Sequence, residues 1–310
     1  MNALAASAGV VVDRLFGEPP TRWHPVAWFG STMNAIEARW WADDRRRGAG
    51  YTAVGLAAGV VPAFVLRRAI GPWAATVLAS GVAIAGAMLE REALGVAEAL
   101  RTDDVNAARL LVGRLGGRST DSLDAPEIAR AVIETVAENT VDAVTASLFW
   151  ASVGGAPGVL AHRAINTMDA MVGHRSPRHQ QFGWASARLD DAANWLPARL
   201  TAVAVAVAAP SHCGEIARTV RRDAGRHPSP NGGVIEAAFA ASLGIRLGGA
   251  NVYGGIADDR GVLGDGRPAR AADVGRATAL ARRATGVFAV GCVVTHATAR
   301  RLGRRASAPR

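Results

Sequence analysis

A run of twenty residues without a charged side chain, at 70–89, places the tightest constraint on how this chain folds. A helix of about twenty apolar residues is long enough to cross the hydrocarbon core of a bilayer. Four shorter apolar runs lie at 51–66, 144–161, 200–210 and 284–299. Half of the residues are hydrophobic. The sequence therefore predicts an all-α, polytopic integral membrane protein, with several transmembrane or re-entrant helices and large polar helical loops.

The arrangement of these runs predicts a single membrane-embedded domain over residues 1–310, with a basic tail at 300–310. Three polar segments are expected to form its active-site face: 90–142, 162–199 and 212–283. The alternative is a soluble, alanine-rich protein in which the apolar runs are core helices. The run at 70–89 favours the membrane because its length matches one bilayer span.

Three stretches carry further structural signals. The sequence GGAPG at 154–158 interrupts an apolar run, which predicts a broken or re-entrant helix. Residues 13–50 are expected to form an irregular loop whose tryptophans suit a membrane interface. The stretch Ser122–Asp124, followed by Ala-Pro-Glu at 125–127, predicts the start of a helix.

All 35 basic residues are arginine, and the net charge is +9. Without lysine, the chain forms no Schiff base and offers no P-loop lysine to a nucleotide. The arginines cluster at the ends of apolar runs, as at 45–47, 67–68 and 300–305, which indicates contact with anionic lipid headgroups rather than nucleic acid. Cys213 and Cys292 are isolated, which is typical of structural thiols in a reducing compartment.

Three acidic residues, Glu134, Glu138 and Asp142, follow one another at four-residue intervals beside an apolar run. In a helix this spacing stacks the three carboxylates on one face. Stacked acids repel one another unless a cation lies between them. Oxygen clusters of this kind suit Mg²⁺, which binds one or two carboxylates together with substrate phosphate. The alternative is a solvated acidic face paired with arginines such as Arg130.

A second group of polar residues lies in the segment 162–199. Its members are Asn166, Asp169, Arg188, Asp190, Asp191 and Asn194. Asn166 and Asp169 are one helical turn apart, and Asp190 and Asn194 share a helix face. Aspartates beside an arginine are able to hold a metal or to orient a phosphate. The alternatives are helix caps for the first pair and a helix-terminal ion pair for the second.

Two glycine-containing stretches are candidate ligand loops. The sequence HPSPNGG at 227–233, followed by Glu236, predicts a loop that opens onto a helix, whose first N–H groups form an anion site. The sequence GGANVYGG at 248–255 predicts a second flexible, polar loop. Either stretch is alternatively a simple turn.

His24, between Trp23 and Pro25, either packs at the membrane interface or takes part in chemistry.

Taken in order, these motifs resemble those of the adenosylcobinamide-phosphate synthase family (CobD/CbiB type) of cobalamin biosynthesis. The matching stretches are DRLFGEPPTRWHPVAWFG (13–30), ENTVD (138–142), RAINTMD (163–169), FGWASARLDDAANWLPARLT (182–201), HPSPNGGVIEA (227–237) and GGANVYGG (248–255). The resemblance covers about residues 10–260. Ala143, Ser147 and Arg163 stand where the family usually has glycine, proline and lysine.

The resemblance implies an integral membrane enzyme that joins (R)-1-amino-2-propanol, or its O-phosphate, to the free carboxyl of adenosylcobyric acid. The product is the amide adenosylcobinamide or its phosphate, ATP is consumed, and Mg²⁺ is the expected cation. The expected location is the cell (inner or plasma) membrane, crossed several times, with the active face in the cytoplasm. Expected partners are the corrinoid substrate, the aminopropanol (phosphate) and membrane lipid, without nucleic acid. Other corrinoid-pathway enzymes and an oligomer remain open.

The residues predicted to carry this chemistry fall into three groups. The metal ligands are expected to be Glu134, Glu138, Asp142 and Asp169. The candidate catalytic residues, as bases for the substrate ammonium, are Asp190, Asp191 and His24. The candidate substrate- or phosphate-binding residues are Arg163, Asn166, Arg188, Asn194, Ser229, Asn231, Gly233, Glu236 and Tyr253.

One rival function is a different enzyme activity, and two others are not enzymatic. A Mg²⁺-dependent intramembrane prenyl- or alcohol-phosphotransferase also places Asn/Asp pairs beside a cavity, but it consumes a prenyl diphosphate without ATP. A transporter, or a non-catalytic scaffold for corrinoid enzymes, needs no chemistry at all. A transporter predicts charges midway along spanning helices, whereas these acids lie at segment ends or in polar segments.

Overall fold

The computed structural model describes residues 2–115, 120–174, 176–253 and 256–306. Helices account for most of these residues, and the strands among them form one short hairpin, so the predicted helical fold class is confirmed. The α-helices of the described residues are α1 (Asn2–Phe16), α2 (Pro25–Trp40), α3 (Arg45–Ile70), α4 (Pro72–Ala83), α5 (Gly86–Arg101), α6 (Val105–Leu115), α7 (Ala125–Asn139), α8 (Ala146–Val172), α9 (Trp184–Ala208), α10 (Cys213–Asp223), α11 (Gly232–Leu243) and α12 (Ala271–Ala306).

Within the described residues, four helical segments are long and apolar enough to cross a membrane. They are Arg45–Ile70, Pro72–Arg101, Ala125–Val172 and Ala271–Leu302. A fifth candidate combines Trp184–Ala208 with Pro210–Arg226, and the two parts are bent by 109° as in a broken span or a re-entrant loop. Each apolar run that the sequence indicates falls almost wholly within one of these segments.

The packing divides the chain into two compact units. The first unit consists of Met1–Ala85, Ala143–Ala193 and Phe288–Arg310. The second consists of Gly86–Asp142 and Asn194–Val287. The single domain and the active-site face stay predictions, and the last four residues of the expected basic tail lie outside the described residues.

The core of the first unit forms where α3 packs against α8. One cluster of fully buried side chains there consists of Met33, Tyr51, Met168, Val172 and Phe182. The rings of Tyr51 and Phe182 lie 5.1 Å apart, a distance typical of favourable aromatic pairs. A Cβ at Gly55 would come within 2.2 Å of Met168 Sδ, so the glycine lets the two helices approach closely.

The interruption predicted at 154–158 is confirmed within α8. Gly155 has φ 62° and ψ −149°, a region that is accessible in practice only to glycine. The N–H of Ala156 donates to Thr76 Oγ1 at 3.2 Å, which replaces a lost helical hydrogen bond. A π-helix, Thr140–Thr145, lies immediately before α8. Re-entry of this segment into the membrane stays a prediction.

The prediction of an irregular loop over 13–50 is wrong, because most of this stretch is helical. Helix α2 begins with Pro25, whose missing N–H is not needed in a first turn. His24 caps the helix, since the Val26 N–H donates to its Nδ1 at 3.2 Å. Trp23 and Trp28 remain exposed, as the predicted role at a membrane interface requires.

The second unit is built around α11, all twelve residues of which are buried. Beside it, strand β1 (Leu247–Tyr253) pairs antiparallel with β2 (Ile256–Leu263). The flexible loop predicted at 248–255 is therefore wrong where it is described, and residues 254–255 lie outside the described residues. Gly248 and Gly249 have positive φ and form a bulge in β1, so their glycine signal marks a bend within a strand.

The predicted start of α7 is confirmed in atomic detail. The Glu127 N–H donates to Asp124 Oδ1 at 2.9 Å, and the Asp124 N–H donates to Glu127 Oε2 at 2.9 Å, which forms a reciprocal capping box.

We expect Asp124→Ala to lower the free energy of unfolding by about 1 kcal/mol, because an orphan N–H of the first turn loses its acceptor. Thermal denaturation in detergent, followed by circular dichroism, measures the change. The exposed Asp121→Ala is the control, and equal melting temperatures for the two variants would contradict the capping role.

Candidate active site

The second unit gathers three glutamates from two helices. Glu134 and Glu138 lie on α7, one turn apart, and Glu236 lies in the middle of α11. The side chains of Glu134 and Glu236 are 0% exposed, whereas that of Glu138 is 28% exposed. The structure therefore brings two predicted metal ligands together with one predicted substrate-binding residue.

Glu134 is held by Arg130 and by the backbone of the hairpin. Arg130 Nη1 donates to Glu134 Oε1 at 3.2 Å, and the Gly248 N–H donates to the same oxygen at 2.8 Å. Arg130 also donates to the carbonyl oxygen of Gly248. The sequence left open that Arg130 pairs with the acidic residues on a solvated helix face. Arg130 does pair with Glu134, but the pair is buried. The glycine pair at 248–249 shapes the strand that supplies these contacts.

Gly248 is a position at which only glycine fits. Its φ is +75°, and a Cβ would lie 2.0 Å from the carbonyl oxygen of Gly261 on the paired strand. We expect Gly248→Ala to lower the melting temperature in detergent markedly, because the hairpin must shift and the Gly248 N–H moves away from Glu134. Gly95→Ala in α5 is the matched control, since its Cβ meets nothing within 4 Å and alanine is the better helix former. A Gly248→Ala protein as stable as the control would contradict this account.

The carboxylate of Glu236 is fully buried in α11. Among the residues that the structure describes, none donates a hydrogen bond to either of its carboxylate oxygens. Two basic side chains lie close to it, with His227 Nε2 at 3.4 Å from Oε1 and Arg260 Nη1 at 3.8 Å from the same atom. Arg260 Nη1 instead donates to Glu138 Oε1 at 3.0 Å. A buried carboxylate without donors is costly unless it is protonated or bound to a cation.

The environment shifts the acid–base properties of Glu236 and His227 in opposite directions. Burial raises the pKa of Glu236 well above its usual range, and the neighbouring carboxylates of Glu138 and Glu134 add to this effect. Burial lowers the pKa of His227, a shift that Glu138 opposes. Both residues are therefore shifted toward their neutral forms, as burial in a low-dielectric site requires.

The loop 227–233 is ordered by its own side chains. The Ser229 N–H donates to His227 Nδ1 at 3.0 Å, and the Gly232 N–H donates to Ser229 Oγ at 3.1 Å. Arg199 Nη1 donates to Asn231 Oδ1 at 3.3 Å. The predicted loop followed by a helix is confirmed, because α11 begins at Gly232 with Asn231 as its N-cap. Several N–H groups expected to bind an anion are engaged within the loop, so the phosphate-binding role of Ser229, Asn231 and Gly233 stays a prediction.

The first unit brings the polar residues of α8 and α9 together. Asn166 Nδ2 donates to Asp190 Oδ1 at 3.4 Å. Asp191 lies close enough to Asp169 for their charges to interact. Arg188, also on α9, is exposed. The contacts of these residues therefore agree with a shared polar site within this unit, and their individual roles stay predictions.

His24 and Arg163 also lie in the first unit. His24 Nε2 is 3.7 Å from Glu18 Oε2, which connects the two halves of the motif at 13–30. Burial lowers the pKa of His24; the carboxylate of Glu18 opposes this shift, and the charge of Arg163 adds to it. His24 thus faces charged groups and does not merely pack against apolar ones.

Three further predicted residues have described positions in the fold. Asp142 lies in the π-helix Thr140–Thr145 and is counted in the second unit, whereas Asp169 lies in the first unit. Asn194 is fully buried in α9. The backbone of Tyr253 pairs with Ile256, but its side chain lies outside the described residues. Their predicted roles are neither supported nor opposed by these positions.

Sequence reasoning missed His227 and Arg260 as parts of the acidic cluster. Glu138, His227 and Glu236 each offer one ligand atom, and the three atoms lie within 4.8 Å of one another. The donor set, together with the bare oxygens of Glu236, fits a divalent cation. The available signal was the position of His227 at the head of the motif HPSPNGG, nine residues before Glu236.

The fold and this site define an α-helical protein with several candidate membrane spans and a buried, charged centre. The chain belongs to the CobD/CbiB protein family, because the family model described as "CobD/Cbib protein" matches residues 6–281. Similar curated proteins carry the name "Cobalamin biosynthesis protein CobD". One, from Mycobacterium tuberculosis, is 46% identical over 289 residues, 91% of each chain. The protein from Halalkalibacterium halodurans is 38% identical over 298 residues, which are 91% of this chain and 92% of that protein. The protein from Chromobacterium violaceum is 40% identical over 302 residues, which are 93% of this chain and 95% of that protein. No solved structure matches the chain.

Proposed function

We propose that this protein acts in cobalamin biosynthesis as an ATP-dependent amide ligase. It joins (R)-1-amino-2-propanol, or its O-phosphate, to the free carboxyl of adenosylcobyric acid. The family membership and the printed names of the relatives support the pathway. The observation that carries the proposed chemistry is the buried cluster in which Glu134, Glu138 and Glu236 meet Arg130 and Arg260. Such a cluster suits a reaction whose substrates are phosphates and carboxylates.

The reaction proceeds in two balanced steps. In the first, a carboxylate oxygen of the corrinoid attacks the γ-phosphorus of ATP, and the bond to the β-phosphate oxygen breaks, which gives an acyl phosphate and ADP. In the second, the free amine attacks the acyl carbon and expels inorganic phosphate. The amide nitrogen loses one proton, which a protein carboxylate or histidine accepts.

The second unit supplies the groups that handle phosphate charge. Arg260 is a planar guanidinium whose side chain is 15% exposed, so it is accessible to a ligand while it contacts Glu138. Arg130 is fixed on Glu134 and Gly248, and it positions the hairpin rather than binding substrate. A bound Mg²⁺ would neutralise charge on the transferring phosphoryl group.

Mg²⁺ suits acidic residues of this kind because it binds one or two carboxylates together with substrate phosphate. Glu134, Glu138 and Asp142 are the proposed carboxylates of the second unit, and Asp169 is the proposed carboxylate of the first. Glu134 is proposed to stabilise the cluster, since its Oε1 already accepts two hydrogen bonds.

The variant Asp142→Ala tests whether Asp142 binds the cation. Activity within threefold of the wild type at saturating Mg²⁺ would show that Asp142 is not one of the metal ligands.

The first unit supplies candidates for recognition and proton transfer. Asp190 and Asp191 are the proposed bases for the substrate ammonium, with His24 as the third candidate. Arg163 and Arg188 are proposed to bind phosphate or the free carboxylate of the corrinoid, because arginine recognises both groups in a bidentate manner. Asn166 orients Asp190 through their hydrogen bond. The proposed location is the cell membrane, with these groups on the cytoplasmic side, where ATP is available.

An assay of the purified protein in detergent tests this function. It contains adenosylcobyric acid, Mg²⁺ and either aminopropanol or its phosphate, with and without ATP. We expect a mass-shifted amide that depends on ATP with one of the two amines, which identifies the preferred nucleophile. Absence of product from monodisperse protein under every combination would contradict the ligase. A parallel reaction with a prenyl diphosphate and no ATP tests the phosphotransferase.

A further inference from the structure

We infer that Glu138, His227 and Glu236 form a binding site for one divalent transition-metal ion of the Mn²⁺, Fe²⁺, Co²⁺ or Zn²⁺ class. Their three ligand atoms lie within 4.8 Å of one another, a separation that one metal ion bridges. The role of the ion, which is to act on the reacting phosphates, rests on the proposed function. The existence of the site stands on the geometry of these residues alone.

The first independent observation is that two of the three side chains are buried and direct atoms without hydrogen bonds toward one another. The side chains of Glu236 and His227 are 0% and 1% exposed. Within the described parts of the chain, His227 Nε2 and both oxygens of Glu236 make no hydrogen bond. Buried polar atoms are normally satisfied, because each unsatisfied one costs free energy. A cation between these atoms satisfies all of them at once.

The second observation is the orientation of the His227 ring. Its Nδ1 lies 3.0 Å from the Ser229 nitrogen and 3.2 Å from the Ser229 carbonyl oxygen. Binding of a metal to Nε2 would place the ring proton on Nδ1, which would then donate to the Ser229 carbonyl oxygen instead of accepting from the Ser229 N–H. Metal-binding histidines typically make this type of hydrogen bond, which fixes the tautomer and the ring orientation. The loop HPSPNGG therefore presents Nε2 to the cluster.

The charges of the cluster also favour a cation. Three carboxylates, those of Glu134, Glu138 and Glu236, face the two guanidiniums of Arg130 and Arg260. Arg130 donates a hydrogen bond to Glu134, whereas Arg260 Nη1 lies 3.0 Å from Glu138 Oε1 and 3.8 Å from Glu236 Oε1. Arg260 is thus a positive neighbour that competes with a metal for the same oxygens. Its removal is expected to strengthen metal binding.

The ligand set decides the class of metal. A histidine nitrogen with two carboxylates suits first-row transition metals, whereas Mg²⁺ and Ca²⁺ prefer oxygen ligands alone. Gly232 leaves the space beside this set, since a Cβ there would lie 2.8 Å from His227 Cε1 and 3.3 Å from Glu138 Oε1. The site therefore differs from the oxygen-only magnesium site that the sequence predicts.

Mn²⁺ binding to the tag-free protein in detergent tests the inference without any substrate. The protein is stripped with chelator and titrated with Mn²⁺ alone, and electron paramagnetic resonance counts the free and bound ion. We expect one bound Mn²⁺ per chain, with electron spin echo modulation from an imidazole ¹⁴N. We expect His227→Gln to abolish that modulation, and both His227→Gln and Glu236→Gln to weaken binding more than tenfold. Arg260→Gln is expected to bind Mn²⁺ severalfold more tightly than the wild type.

The matched controls are His212→Gln and Glu215→Gln, which change an exposed histidine and a glutamate whose side chain is 44% exposed. Both are expected to bind Mn²⁺ as the wild type does. Wild-type protein without ¹⁴N modulation would overturn the inference, and this result does not depend on the folding of any variant. Unchanged affinity in His227→Gln would also overturn it. Mn²⁺ binding without ATP-dependent product contradicts the proposed function alone, whereas product without Mn²⁺ binding contradicts this inference alone.

Discussion

Glu138→Gln is expected to lower the rate of ATP-dependent amide formation about a hundredfold, the usual effect of removing one group that stabilises transition-state charge. The side chain of Glu138 is 28% exposed, at the edge of a cluster whose other two glutamates are fully buried. Glutamine keeps the shape and a hydrogen-bond acceptor for Arg260, but it loses the negative charge that holds a cation. The initial rate with saturating substrates measures the effect.

Glu98→Gln is the control for this substitution. Glu98 lies on α5 in the same unit, is exposed and is paired with Arg101, so its charge is screened by solvent. We expect this variant to work at the wild-type rate. A Glu138→Gln enzyme within threefold of that rate would show that the charge of Glu138 is not part of the reaction.

Arg130→Met is expected to lower the free energy of unfolding by about 3–5 kcal/mol, which is more than the loss expected for Asp124→Ala. Arg130 is 15% exposed and Glu134 is 0% exposed, so the substitution leaves a buried carboxylate without its counter-charge. Methionine fills a similar volume, and the change is therefore mainly electrostatic. Chemical denaturation in detergent, followed by circular dichroism, measures the loss.

Two further variants identify the cause of that loss. Arg91→Met removes an arginine whose side chain is 67% exposed, and we expect it to change stability by less than about 0.5 kcal/mol. Arg130→Met combined with Glu134→Leu removes both charges and is expected to recover part of the loss. A double variant less stable than Arg130→Met would mean that the buried charge is not the origin of the effect.

Features that depend on neighbouring residues could be predicted from the sequence. The start of α7 follows from Asp124 and Glu127, which satisfy each other's backbone within one turn. The break at Gly155 follows from glycine and proline inside an apolar run. The candidate spans follow from length and composition, which are also local properties.

Features that depend on distant partners could not be predicted in the same way. The hairpin β1–β2 carries glycines with positive φ in a short strand, and this composition is equally typical of a loop. The contact between Arg260 and Glu138 joins residues 122 positions apart. His227 shows no metal-ligand spacing to another histidine, because its neighbours in space are carboxylates of α7 and α11. The stacking of Glu134 and Glu138 was visible in the sequence, but the buried groups that complete their cluster were not.

The most direct test of the proposed chemistry follows the carboxyl oxygens of adenosylcobyric acid labelled with ¹⁸O. The purified protein converts this substrate with ATP and the preferred amine, and mass spectrometry locates the label in the products. If the carboxylate attacks the γ-phosphorus, one ¹⁸O atom appears in inorganic phosphate for each amide formed. Label in AMP, or amide formed with no label transferred to a phosphate, would contradict activation of the carboxyl as an acyl phosphate.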